Sequence, residues 1–159
     1  MAIEFELLRP EDKPALLGLP TPEYLAAVRA SLEGLEYKVH VAADGEEFLR
    51  RFARVQYQVV VLEESAAGAA AGGDADVQNP LSDLQRMPMN LRRHAVVILV
   101  GKSFQSLNPM QAFQQSVHAV VNPTELSSFA QIVQKVAADS TLFLHIYRDT
   151  QQRIVTGKL

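Results

Sequence analysis

Residues 58–65 have the sequence QVVVLEES, in which a short, mostly β-branched apolar run at 59–62 is followed by two carboxylates. A run that is apolar on both faces is typical of a central strand in a parallel sheet covered by helices on both sides. Ligands of open α/β sheets bind at the carboxyl ends of such strands. The sequence therefore predicts a buried strand and directs the search for function to Glu63 and Glu64.

The composition indicates one globular domain. The chain has 159 residues, 48% of them hydrophobic, and a net charge of −3 at pH 7. This charge argues against nucleic-acid binding, which usually requires a basic face. The absence of cysteine excludes disulfides and cysteine nucleophiles. The sequence has no membrane-spanning run and no signal peptide, so we expect a cytoplasmic protein with no membrane partner.

Strands and helices are predicted to alternate along the whole chain. The other four predicted strands are 15–19, 38–42, 95–100 and 119–121. The five predicted helices begin at or beside polar residues, namely Thr21, Asp44, Asn79, Asn108 and Thr124. This alternation predicts an α/β fold with a parallel sheet and right-handed crossovers. In the helix after Asn108, the spacing predicts that Met110, Phe113 and Val117 face the core.

Three segments are expected. Residues 1–14 are a leader or an edge strand, residues 15–138 form the domain, and residues 139–159 are a helical extension and tail. Asp139 or Ser140 could cap a further turn or a new helix in this extension. Its apolar residues form one helical stripe, which either folds back on the domain or packs on a second copy or a partner. The stripe consists of Leu142, Phe143, Ile146 and Tyr147.

Other signals are weaker. The loop 65–77 is rich in glycine and alanine, so it is predicted to be mobile, and it is also the candidate site for a small ligand. The four histidines lack the spacing of a metal site, and no cofactor is expected. Residues 92–94, Arg-Arg-His, form a basic cluster that we interpret as a solvated corner, although it could contact an acidic partner.

Two segments resemble the receiver domain of response regulators, the CheY-like family. YKVHVAADGEEFLRRFARVQYQVVVLEES (37–65) is similar to the receiver's second strand, its Asp-Gly helix start and the strand that carries the phosphorylated aspartate. VHAVVNPTEL (117–126) is similar to the fifth strand, the lysine-proline step and the last helix. The resemblance covers about residues 15–138. It implies a doubly wound five-stranded sheet of order 2-1-3-4-5.

The resemblance places the receiver's functional positions on residues of different chemistry. The phosphorylated aspartate falls on Glu63. The hydroxyl residue after strand four falls on Val100 or Gly101, with Ser103 displaced nearby. The lysine falls on Asn122, and the next residue, Pro123, is retained; receivers have a cis peptide at this step, and both isomers stay open here. No acidic pair follows the first strand, although magnesium usually needs one or two carboxylates plus phosphate. We expect no bound metal and no phosphorylation.

The functional prediction follows from this loss. We predict a non-enzymatic pseudo-receiver that mediates protein interactions in bacterial signalling or two-component regulation without phosphorylation. The sequence does not identify the protein partner. A homodimer could form through the face made by the fourth predicted helix, the fifth strand and the fifth helix, or through the C-terminal extension. Two alternatives stay open: a flavodoxin-like ligand-binding domain or enzyme that uses loop 65–77, and a divergent phosphoreceiver.

Overall fold

The computed structural model describes residues 8–64 and 80–158. Its strands are β1 (Lys13–Gly18), β2 (Tyr37–Val41), β3 (Val59–Glu63), β4 (Val96–Val100) and β5 (Ala119–Val121). Its α-helices are α1 (Pro22–Gly34), α2 (Gly45–Arg54), α3 (Pro80–Arg86), α4 (Met89–Arg92), α5 (Pro109–Gln115) and α6 (Phe129–Thr156), and a 3-10 helix at Pro123–Ser128 precedes α6. All pairings are parallel, and the strand order β2-β1-β3-β4-β5 confirms the predicted topology.

The central position of β3 is confirmed. It pairs with β1 on one side and with β4 on the other. Val59 and Val61 belong to the core layer that α1 and α6 cover, whereas Val60 and Leu62 belong to the opposite layer, which α2, α3 and α5 cover. A strand between two helical layers needs apolar residues at every position, and this explains the unbroken run in the sequence.

The start of α2 is held by reciprocal contacts of the side chains of Asp44 and Glu47. The Asp44 carboxylate accepts a hydrogen bond of 2.8 Å from the Glu47 backbone N–H. In return, the Glu47 side chain accepts a hydrogen bond of 2.7 Å from the Ala43 backbone N–H and one of 3.0 Å from Arg51 Nε. The Asp44 contact pairs a backbone donor that the first helical turn would otherwise leave unpaired, and the Glu47 side chain pairs the backbone donor of Ala43, which precedes the cap.

The inward face predicted for the helix after Asn108 is wrong for Met110 and Phe113, whereas Val117 is partly buried against the core as predicted. Asn108 does cap α5, since its side-chain oxygen accepts hydrogen bonds from the Met110 and Gln111 backbone N–H groups. However, Met110 is exposed and Phe113 is 79% exposed, while Ala112 is buried against the sheet. The small side chain of Ala112 lets this seven-residue helix pack closely, so its large apolar residues point away from the core.

The predicted helix start at Asp139 or Ser140 is also wrong, because α6 continues through both residues as one helix of 28 residues, about 42 Å long. Its buried residues end at Val136. At Asp139 the side chain points outward and accepts a hydrogen bond from Lys135 Nζ at 2.6 Å, so it does not cap a new helix. The second half of α6 therefore extends the helix that packs on the sheet.

The apolar stripe on this second half is largely uncovered. Leu142, Phe143 and Ile146 are each more than three-quarters exposed within the described chain. Tyr147 makes one contact with the domain, in which the Arg93 guanidinium lies 4.6 Å from the centre of its ring. Apart from Tyr147, the stripe does not fold back over residues 8–64 and 80–138, because its other three residues stay exposed on one continuous helix.

Some predictions lie outside this description. Loop 65–77 falls wholly within residues that the structure does not describe, and the first half of the predicted leader, residues 1–7, does as well. β1 begins at Lys13, two residues before the predicted start of the domain. None of the helices in the described ranges has the length and hydrophobicity needed to span a bilayer.

Candidate functional site

The positions that correspond to the receiver site lie together at the carboxyl end of the sheet. Glu63 ends β3 and lies beside Val100, which ends β4. Gly101 follows Val100 and donates its backbone N–H to the carbonyl of Val121, the last residue of β5, at 3.0 Å. Asn122 comes next in the chain. The sheet topology therefore brings the predicted site residues to one edge, as expected for parallel strands.

Both carboxylate oxygens of Glu63 accept hydrogen bonds from the loop that follows β1. Glu63 is only 7% exposed, and Thr21, which directly precedes α1, donates to both of its carboxylate oxygens. The Thr21 hydroxyl lies 2.6 Å from Oε1, and the Thr21 backbone N–H lies 3.0 Å from Oε2. The positive end of the α1 dipole also favours a carboxylate here. Thr21 was predicted to cap α1, but its hydroxyl binds Glu63 and makes no cap hydrogen bond.

Glu64 points to a different loop. Its carboxylate accepts a hydrogen bond from the Ser103 hydroxyl. Its side chain lies over Gly101, where an added Cβ would come within 2.7 Å of the Glu64 Cβ. Glu63 and Glu64 thus have separate hydroxyl partners in two different loops. The close approach at Gly101 explains why a glycine stands there.

Asn122 connects the end of β5 to the preceding loop. Its Nδ2 donates to the Phe104 carbonyl at 2.8 Å and to the Lys102 carbonyl at 3.3 Å. Its Oδ1 accepts from the Thr124 backbone N–H at 3.0 Å and from the Thr124 hydroxyl at 2.8 Å. Both amide hydrogens and the oxygen are therefore used within the protein, and the side chain is a structural link.

The remaining positions carry no reactive group. Val100 is fully buried, and Gly18, Leu19 and Pro20, which lie at and after the end of β1, have no carboxylate. Among residues 8–64 and 80–158, no cluster of three histidine or acidic side chains could hold a metal ion. The peptide before Pro123 is trans, unlike the receiver pattern that the resemblance raised.

Sequence reasoning missed the hydroxyl partners of both glutamates. Thr21 is 42 residues from Glu63, and Ser103 is 39 residues from Glu64. The one available signal was topological: the loops after β1 and β4 must lie next to the end of β3 in a sheet of this order. A polar residue in either loop was therefore a candidate partner.

Comparison with known proteins supports the fold. No family model matches the chain, and no curated protein matches it. A CheY-like response regulator receiver domain from Methanospirillum hungatei is similar, with a TM-score of 0.59 and 15% identity over 81% of this chain and 96% of that chain. The chain has the CheY-like receiver fold. At this identity the likeness concerns structure alone, and about a fifth of this chain is left outside the match.

Other solved structures are also similar to this chain. A response regulator from Thermotoga maritima matches with a TM-score of 0.57 and 14% identity over 80% of this chain and 98% of that chain. A protein described as pilus assembly-related, from Burkholderia pseudomallei, matches with a TM-score of 0.56 and 15% identity over 83% and 94% of the two chains. The fold alone does not determine what the chain does, so function has to be argued from its own residues.

Proposed function

We propose that this chain is a pseudo-receiver, a receiver fold that mediates protein interactions without phosphorylation. The observation that carries the proposal is the pairing of both Glu63 oxygens with Thr21. In this arrangement the side chain at the phosphoacceptor position stabilises the start of α1. A phosphoryl donor would have to displace two internal hydrogen bonds from a group that is almost fully buried.

The surroundings of Glu63 support the same conclusion. Transfer of a phosphoryl group depends on cations and donors that neutralise the charge of the transition state. Magnesium would need carboxylate ligands, and Gly18, Leu19 and Pro20 supply none. Asn122 is neutral and bound to the loop carbonyls, so it cannot act as the cation that a lysine would provide.

The proposal includes a biological setting. We propose a non-enzymatic role in bacterial signalling or two-component regulation, in the cytoplasm, because the receiver fold of the neighbouring structures is a signalling module. The partner is a protein, and the exposed apolar residues of α6 are candidate contact residues.

Incubation with magnesium and acetyl phosphate tests this function. We expect the intact mass to stay constant and the amide NMR spectrum to stay unchanged on addition of beryllium fluoride, while an ordinary receiver in the same buffer reacts. Glu63→Gln should behave as the unsubstituted chain does. A stoichiometric gain in mass that Glu63→Gln abolishes would overturn the proposal and indicate a divergent phosphoreceiver.

A further inference from the structure

The outer edge of β2 is a row of backbone groups that no strand within residues 8–64 and 80–158 covers. β2 stands first in the sheet order and pairs with β1 alone. Directly after β2, the Ala42 backbone N–H donates to the Leu17 carbonyl of β1 at 2.9 Å. Backbone groups alternate in direction along a strand, so those of Val39 and Val41 point away from β1. An edge of this kind is a place where a further strand can be added.

The other strand edges in the described part of the chain are less open. β1, β3 and β4 each lie between two neighbouring strands. β5 is at the opposite edge and has only three residues. Its Val120 carbonyl already accepts a hydrogen bond of 2.9 Å from the Leu107 backbone N–H. A further strand would therefore be added most readily at β2.

A reverse turn before β1 lies beside this edge. The Asp12 backbone N–H donates to the Arg9 carbonyl at 3.0 Å, and the Arg9 backbone N–H donates to the Asp12 carboxylate at 2.7 Å. Pro10 is at the second position of the turn, where proline is favoured. The Asp12 carboxylate also lies 3.8 Å from Lys38 Nζ on β2. The turn therefore reverses the direction of the chain next to β2.

The sequence before this turn has the alternation of a half-buried strand. Residues 1–7, which precede the described part of the chain, read MAIEFEL. Ile3, Phe5 and Leu7 alternate with Glu4 and Glu6, and a period of two is typical of a strand with one apolar face. Five residues of extended chain span about 17 Å, which matches the five residues of β2.

One antiparallel register suits the side chains on both faces of β2. It places Phe5 opposite Val39 and Glu6 opposite Lys38. Val39 is partly buried against the core layer that α1 and α6 cover, so an apolar partner would extend that layer. The side chain of Lys38 points to the other face of the sheet, where a carboxylate directly opposite makes a favourable cross-strand pair. A shift by one residue would bring the glutamates to the apolar face, which is unfavourable.

We propose that the outer edge of β2 is a strand-docking site and that its occupant is residues 3–7 of the same chain, added as a sixth, antiparallel strand. The short connection through residues 8–12 favours this intramolecular docking over the same segment of a second copy, which would bind from solution. The docked strand closes the sheet edge to association with other chains. The inference goes beyond the proposed function, and its failure would leave the pseudo-receiver proposal standing.

Amide hydrogen exchange of the full chain tests the docking. The Val39 and Val41 backbone N–H groups point away from β1, so we expect slow exchange only if a strand is paired with them. Phe5→Pro removes the backbone donor opposite Val39 and should speed the exchange of both amides by about tenfold or more. Ala2→Pro, outside the docked residues, is the control and should not. Fast exchange in the unsubstituted chain, or slow exchange that Phe5→Pro leaves unchanged, would overturn the proposal.

Pairs of introduced cysteines determine the register and the occupant, because the chain has no cysteine of its own. Phe5→Cys with Val39→Cys should form a disulfide within one chain under mild oxidation, since directly opposite residues are at a suitable distance. In the control, Phe5→Cys with Lys38→Cys, the two side chains point to opposite faces and should cross-link about tenfold more slowly or less. Non-reducing gels separate the products. Equal rates for the two pairs would refute the register, and covalent dimers as the main product would refute the proposal in favour of a second copy.

Discussion

At the scale of single residues, the carboxylates of Glu63, the last residue of β3, and of Glu64 accept hydrogen bonds from within the protein. Glu63 is hydrogen-bonded to Thr21 at the start of α1, and Glu64 is hydrogen-bonded to Ser103 in the loop after β4. The resemblance placed Glu63 and Asn122 at the receiver's aspartate and lysine positions from sequence alone, and this assignment stays a prediction. The hydrogen-bond partners of the two glutamates, Thr21 and Ser103, were not predictable, because they depend on how far each side chain reaches between loops that are distant in sequence.

Thr21→Val tests the first of these links. The change keeps the shape of the side chain but removes the hydroxyl that donates to Glu63 Oε1. It leaves a buried carboxylate oxygen without that partner, which should reduce the free energy of unfolding by about 1–3 kcal/mol. The measurement is urea denaturation, with Thr21→Ser as the control that retains the hydroxyl. Equal stability of the two variants would contradict a structural role for the bond.

Gly101→Ala tests the second link. The added Cβ would collide with the Glu64 side chain, so we expect a loss of about 1–3 kcal/mol through overpacking. Glu64→Ala removes the carboxylate end of the obstructing side chain and leaves only its Cβ in the way, so the double variant should be more stable than the sum of the single effects predicts. Gly34→Ala, where no atom lies within 4 Å of the added Cβ, is the control and should not be destabilising. Strict additivity at Gly101 and Glu64 would be evidence against the contact.

At the scale of elements, periodicity predicted the strands and most helices, but not how far a helix extends or which face of a short helix packs. The apolar run of β3 left no alternative to a buried strand. In α5 the large residues Met110 and Phe113 suggested the inner face, although the small Ala112 occupies it. In α6 an aspartate and a serine suggested a new start, although both are tolerated on an exposed helix surface.

The two halves of α6 should respond differently to one chemical change. Ile132 is 6% exposed and Ile146 is 76% exposed. Ile132→Ala should reduce the free energy of unfolding by about 2–5 kcal/mol, because it opens a cavity in the core. Ile146→Ala should stay within about 0.5 kcal/mol, as expected for surface positions. Thermal and urea unfolding at several protein concentrations check both values. A large, concentration-independent effect of Ile146→Ala would mean that the stripe is covered by the same chain.

At the scale of the whole molecule, a sheet between two helical layers leaves two surfaces with different properties. The carboxyl ends of the strands are closed by internal hydrogen bonds, while a groove of about 610 Å³ beside β5, lined in part by Arg92, Arg93 and Phe143, presents cations and apolar residues to solvent. The fold could be predicted because it follows from alternating segments and their order. The groove could not, because it is formed by residues from five elements, and the basic cluster at 92–94 on its own resembled a solvated corner.

The response of the molecule to acid should occur in two steps. Desolvation lowers the pKa of His94 and, with a contribution from Arg92, that of His118, both below the ordinary value of 6.5. The unfolded chain then binds more protons than the folded chain below about pH 6.5, so the free energy of unfolding should fall as pH decreases through this range. The hydrogen bond from Ala43, and next Arg51, lower the pKa of Glu47 from 4.5, which adds a second loss below that pH. Urea midpoints measured from pH 8 to pH 4 should show both slopes.

Replacing His94 and His118 with glutamine should flatten the first slope only, whereas His145→Gln, on the exposed part of α6, should retain it. A first slope that survives the double replacement would show that other groups are responsible for it.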